Sequence, residues 1–209
     1  LGIGEEAIRA GLESFQGVKR RQELIYDGSR VKVYDDFAHH PTAIRYVLDT
    51  MRDPYPGARI WALYEPRSAT SRRNVFQETL PASFRAADAI LIKTPYEGSA
   101  IKDADKLDPD RLLRDIRAFN QNADLFSDVD SMLEHIALTI DSDVENVIVL
   151  MSNGGFGGIY GKIAPILDAL ASKGADVKNG RPHSPAPSPR ARGRAGLSRA
   201  VSRGGGVRE

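Results

Sequence analysis

Residues 146–170 read NVIVLMSNGGFGGIYGKIAPILDAL. A strand-sized run, Asn146–Met151, carries no polar alternation after its first residue. A glycine-rich turn follows, then a helical pattern ending near Leu170. The same order recurs upstream. Arg59–Tyr64 (RIWALY) leads to a helix expected near Asn74–Phe84, and Ala89–Lys93 (AILIK) to one near Pro109–Asn120. A short strand around Leu125 leads to a helix near Val129–Ile140. Unalternating apolar strands, each followed by an amphipathic helix, specify a parallel sheet covered on both faces. Before them, Gln22–Tyr26 and Val31–Asp35 flank Asp27-Gly28, a hairpin signal. Pro41 then opens a helix whose apolar face is Ile44, Val47, Leu48 and Met51. Gly4–Phe15 has helical spacing at Ile8, Leu12 and Phe15, with Gly17 as a stop. The expected architecture is α/β: a Rossmann-like open, mostly parallel sheet flanked by helices, with an initial β-hairpin. Ligands are expected at the C-terminal ends of its strands.

The chain has 209 residues, 41% hydrophobic and 27% charged, the composition of a globular domain. No apolar run approaches the roughly 18 residues of a membrane helix. The N-terminal stretch lacks a signal-peptide pattern, so a cytoplasmic location is expected. The absence of cysteine excludes disulfides, thiolate metal sites and cysteine nucleophiles. The formal charge of +1 is unevenly spread: residues 172–209 carry nine Lys/Arg against two acids, net +7, leaving −6 for residues 1–171. That tail is rich in Gly, Pro, Ser, Ala and Arg and has little to bury, so it is expected to be disordered. An arginine-rich tail could neutralise nucleic-acid phosphates, but it holds no aromatic residue to stack on a base.

Three strand-end loops carry unusual residues. DDFAHHPTAI, Asp35–Ile44, gathers two carboxylates and two imidazoles at a helix start, where an aspartate can accept from ribose hydroxyls. Helix capping would explain the same residues. Adjacent histidines alone do not make a metal site, and no metal site is expected. EPRSATSRR, Glu65–Arg73, offers arginines and hydroxyls suited to phosphate or carboxylate oxygens, though a solvated basic loop has the same composition. MSNGGFGGIYGK, Met151–Lys162, lets backbone approach a ligand closely. It is not GxGxxG, and no GxxxxGK[ST] occurs in the chain.

DDFAHHPTAI resembles the signature that opens the C-terminal domain of the Mur ligases, the ATP-dependent amide-forming enzymes of peptidoglycan synthesis. FQGVKRRQE, Phe15–Glu23, resembles the segment that links their central ATPase domain to it. The likeness covers residues 1 to about 171. Together with EPRS-T and MSNGGFGGI, the signature is most similar to the muropeptide-recycling branch. That branch joins UDP-N-acetylmuramate to L-alanyl-γ-D-glutamyl-meso-diaminopimelate. The branch that adds L-alanine typically reads DDYGHHPTE. It remains an alternative, as does a stand-alone nucleotide- or RNA-binding module.

The resemblance implies the following. Residues 1–16 end the central domain, 17–171 form the C-terminal domain, and 172–209 depart from the family. Arg21 would meet ATP phosphate and Asp36 the ribose. His39 would lie, as a catalytic residue, where the amine substrate meets the nucleotide. Arg67, Ser68, Thr70, Ser152, Asn153 and Phe156 would surround the carboxylates of the peptide. The P-loop, the Mg2+ ligands and the UDP-sugar site belong to family domains not seen in this sequence, so the chain is expected to be inactive alone.

Overall fold

The computed structural model describes residues 2–15, 17–95 and 101–179. Helix α1 (Glu5–Glu13) precedes a hairpin of β1 (Glu23–Asp27) and β2 (Val31–Asp36). There follow α2 (Pro41–Arg52), β3 (Arg59–Tyr64), β4 (Ala89–Lys93), α3 (Pro109–Arg117) and β5 (Ala123–Phe126). The chain continues through α4 (Val129–Thr139), β6 (Asn146–Met151) and α5 (Ile163–Asn179). The six strands form one sheet in the order β1-β2-β6-β3-β4-β5. Only β1 runs antiparallel to its neighbour. No helix among the described residues is long and apolar enough to cross a membrane.

Because successive strand residues face opposite sides, the sheet has two cores. Ile60, Ala62, Ile90, Ile92, Val147 and Val149 pack against Ile44, Val47 and Leu48 of α2 and Leu112 and Ile116 of α3. Trp61, Leu63, Leu91, Ile148 and Leu150 pack against Met132, Leu133 and Ile136 of α4 and Ile163 and Leu167 of α5. Fully buried strands on both faces explain why the apolar runs show no alternation. At the start of β6 the buried Asn146 amide accepts from Trp61 Nε1 (2.9 Å) and donates to two carbonyls, closing the sheet's lower edge.

Two elements depart from the sequence reading. The helix expected over Asn74–Phe84 is instead two 3₁₀ turns, Asn74–Phe76 and Pro81–Phe84. Pro81 donates no hydrogen bond and its ring bars a continuous α-helix through the preceding turn. The last helix does not end near Leu170 but continues to Asn179, so the disorder expected from residue 172 does not apply to 172–179. No proline stands between Pro165 and Pro182, so nothing breaks the helix near Leu170. The rest of the basic tail lies outside the described residues. Helix α1 buries none of its residues, and Ile8, Leu12 and Phe15 are exposed.

Candidate functional site

The C-terminal ends of the central strands align. Asp36 pairs with Met151, Met151 with Tyr64, and Tyr64 with Ile92. Backbone bonds just past the ends, Ser152 N to Asp36 O (3.2 Å) and Glu65 N to Met151 O (3.1 Å), hold the exits of β2, β6 and β3 together. The helices leave β2 and β6 toward opposite faces, which opens a crevice there.

One wall of the crevice is the segment before β1. Arg20 and Gln22 both adopt left-handed backbone, φ 57° and 49°. Such conformations cost on the order of 1 kcal/mol each for non-glycine residues. The two aspartates ending β2 hold them. Asp36, 3% exposed, accepts from Gln22 N (2.9 Å) with one oxygen and from Ala38 N (2.7 Å) with the other. Asp35 faces the opposite side of the strand and accepts from Arg20 Nε (3.0 Å) and the Tyr160 hydroxyl (3.0 Å). Burial raises the Asp35 pKa above the ordinary carboxylate value; Tyr160 and Arg20 oppose that shift. Arg20 Nη2 also reaches Ser152 O (2.5 Å), Gly154 O (3.1 Å) and the Tyr160 hydroxyl (3.0 Å).

Arg20 faces inward, whereas Arg21 is exposed and stacks its guanidinium on the Phe37 ring, 5.3 Å to the centroid. Among the described residues Arg21 has no acidic partner. His39 sets its ring edge-on to Phe37 (5.3 Å) and places Nδ1 2.9 Å from Phe37 O. A carbonyl only accepts, so Nδ1 carries a proton in this contact, and in the neutral tautomer so fixed the lone pair falls on Nε2. His40 caps α2, its Nδ1 accepting from Thr42 N (3.3 Å), with Pro41 in the first turn. Both histidines are thus engaged locally through Nδ1. Among the described residues no three His, Asp or Glu side chains converge as a metal would need.

The other wall joins the loops after β3 and β6. Buried Glu65 accepts from Ser152 Oγ (2.7 Å), and Ser152 Oγ accepts from Gly154 N (2.9 Å). Arg67 Nη1 lies 3.8 Å from the second Glu65 oxygen. The stem of Arg67 crosses Gly154 so closely that a Cβ there would fall 1.9 Å from Cδ. Ser68 turns its loop by accepting from Ser71 N (2.9 Å), and Thr70 is exposed. Asn153 Oδ1 is a buried acceptor with no hydrogen-bond partner among the described residues. Phe156, Gly157 and Gly158 run left-handed in succession (φ 41°, 56°, 81°).

A family model described as "Mur ligase, glutamate ligase domain" matches residues 20–154. The chain belongs to the Mur ligase family. It is 36% identical over 174 residues to the UDP-N-acetylmuramate–L-alanyl-γ-D-glutamyl-meso-2,6-diaminoheptandioate ligase of Escherichia coli K12, covering 83% of this chain and 35% of that protein. An L-alanine ligase of Chelativorans is 44% identical over 96 residues, 46% of this chain and 20% of that protein. The murein peptide ligase structure from Psychrobacter arcticus superposes with TM-score 0.60 at 34% identity, over 81% of this chain and 33% of that one. A domain structure of a putative UDP-N-acetylmuramate:tripeptide ligase from Haemophilus ducreyi gives TM-score 0.52 at 31% identity, over 72% of this chain and 99% of that one. The chain spans about a third of the length of the full-length tripeptide ligases it matches.

In this Mur ligase domain the expected site residues fall into two groups. Arg21, His39, Arg67, Ser68 and Thr70 lie on the crevice walls at least partly exposed, and Asn153 is partly buried with its Oδ1 enclosed. Asp36, Ser152 and Phe156 do not present free side chains. Both Asp36 oxygens hold backbone amides, contrary to a carboxylate open to ribose. The Ser152 hydroxyl is 0% exposed between Glu65 and Gly154. Phe156 is fully buried in the core beneath α4 and α5, where it anchors the turn. Sequence reasoning missed Arg20, Glu65 and Tyr160 as organisers of the crevice. For Glu65 a signal existed, an acid immediately after five apolar strand residues.

Proposed function

We propose that this Mur ligase domain forms the amine-substrate and ATP-contacting part of the ligase that joins UDP-N-acetylmuramate to L-alanyl-γ-D-glutamyl-meso-diaminopimelate in peptidoglycan recycling. The observation that carries this reading is the likeness to the Escherichia coli tripeptide ligase, which runs at 36% identity through 83% of the chain. The L-alanine ligase reading is supported by the higher identity, 44%, of a segment covering 46% of the chain. L-Alanine ligases that match over most of the chain do so at 32%.

The residues fit ATP in one respect. Arg21, exposed with its guanidinium over the Phe37 ring, offers a planar fork of donors to phosphate oxygens. Asp36 serves the nucleotide indirectly, by fixing the left-handed backbone at Gln22 beside Arg21. Bound ATP supplies the phosphoryl group that activates the UDP-N-acetylmuramate carboxyl for amine attack. The Mg2+ ligands and the P-loop belong to parts of the ligase outside this chain. The unpartnered face of α1, with Ile8, Leu12 and Phe15 exposed, supports a further domain packing there. ATP and a nucleotide sugar as substrates accord with a cytoplasmic location.

Arg67 and the loop hydroxyls bind peptide carboxylates, and the Asn153 oxygen takes a peptide N–H. His39 Nε2 accepts a proton from the attacking amine. The test is phosphate release by the intact ligase with UDP-N-acetylmuramate, ATP and Mg2+, comparing tripeptide with L-alanine. A kcat/KM at least about a hundredfold higher for the tripeptide is expected. Preference for L-alanine would assign the domain to the other branch.

A further inference from the structure

On the sheet face beneath α4 and α5, Leu150, Leu63 and Leu91 lie side by side. Two residues further along the same strands, that apolar row becomes Ser152, Glu65 and Lys93. The first two satisfy each other, and Glu65 turns its other oxygen toward Arg67. Lys93 does not join them. It is partly buried at the end of β4, and among the described residues its ammonium has neither a hydrogen bond nor an ion pair.

Its stem runs under the glycine-rich turn: a Cβ at Gly157 would lie 3.5 Å from Lys93 Cε and 2.7 Å from Val129 Cγ2. Arg67 crosses the same turn at Gly154, three residues earlier. Two cations therefore lie along one glycine-rich turn, Arg67 passing where a side chain at Gly154 would block it and Lys93 within contact distance of Gly157. Arg67 has Glu65 beside it. Arg67 thus has a counter-charge, whereas among the described residues Lys93 makes no ion pair, and a substrate carboxylate would supply one.

We propose that Lys93 is a second carboxylate-binding residue of the peptide site, taking one acidic group of the substrate while Arg67 takes another. The substrate class is a peptide with at least two carboxylates on the side away from the attacking amine. The proposal rests on the tripeptide reading above and adds a residue to it. An ammonium at the end of a buried strand is a fixed point charge, so it selects for where the carboxylate lies as well as for its presence.

The experiment uses the intact ligase as wild type, Lys93→Met and Lys93→Arg. The KM is measured for the tripeptide and for analogues in which one carboxyl at a time is a carboxamide. Lys93→Met should raise the tripeptide KM about ten- to hundredfold, and Lys93→Arg should recover most of the loss. One analogue should raise the wild-type KM to a similar extent and show no further penalty in Lys93→Met. A purely structural role would penalise every analogue alike, and that result overturns the proposal. An unchanged KM in a wild-type background that turns over tripeptide overturns this proposal alone. Turnover of L-alanine without tripeptide overturns the functional reading and Lys93's role with it.

Discussion

Arg20 and Asp35 form an ion pair, Nε to Oδ2 at 3.0 Å, between a side chain 29% exposed and one 7% exposed. The same guanidinium binds the carbonyls of Ser152 and Gly154. One residue thus ties the segment before β1 to the turn after β6 across the crevice. Removing it leaves a buried carboxylate and two carbonyls without their donor. Arg20→Ala should destabilise the domain by on the order of 3 kcal/mol, read as a shift in urea midpoint at constant m-value. Arg20→Lys should recover only part of this, since an ammonium cannot span the fork of acceptors. Full recovery by lysine would mean that charge alone, and not the geometry, matters.

Tyr160 gives the same cluster a pH dependence. Burial holds the Asp35 carboxyl above the ordinary value of 3.8, and the Tyr160 hydroxyl pulls it back. Tyr160→Phe should therefore raise the Asp35 midpoint further, observable by carboxyl ¹³C NMR. The folded form binds the proton more tightly than the unfolded chain. Asp35's contribution is thus fully present below pH 3.8 and is lost as pH rises through the folded midpoint. In Tyr160→Phe that loss should extend to higher pH. A lowered midpoint would mean that the hydroxyl favours the neutral acid.

Gly154 has an ordinary backbone conformation, so alanine is permitted there except for the Arg67 stem across it. Gly154→Ala should leave stability within about 1 kcal/mol, because Arg67 is exposed and can swing away. In the intact ligase it should raise the peptide KM as Arg67→Ala does, with the KM for ATP unmoved. A large loss of stability with an unchanged peptide KM would make the contact a packing feature only.

The sheet was legible because its strands are buried on both faces and read as unbroken apolar runs. The segment Asn74–Phe84 was not, since apolar spacing at Phe76, Leu80 and Phe84 suits a helix as well as paired 3₁₀ turns; Pro81 decides between them. The crevice at the strand ends was also legible from the strand-then-helix order. Which neighbour of a pair faces inward was not. Arg20 rather than Arg21 meets Asp35 because of left-handed backbone at residue 20, and Asp36 rather than Asp35 takes the amides because strand residues alternate. Glu65 and Lys93 become a row only through register across β6, β3 and β4, which no local pattern contains.

The proposed division of the crevice sets a nucleotide wall at Arg21 and a peptide wall at Arg67. Its most direct test is a pair of variants of the intact ligase, Arg21→Ala and Arg67→Ala, each assayed for kcat/KM with ATP and with tripeptide varied in turn. Arg21→Ala should lower kcat/KM for ATP about ten- to a hundredfold and leave the peptide KM nearly unchanged; Arg67→Ala should do the reverse. Melting temperatures of both should stay near wild type, as both side chains are exposed. Equal losses for both substrates in both variants, or losses exchanged between them, would contradict the division.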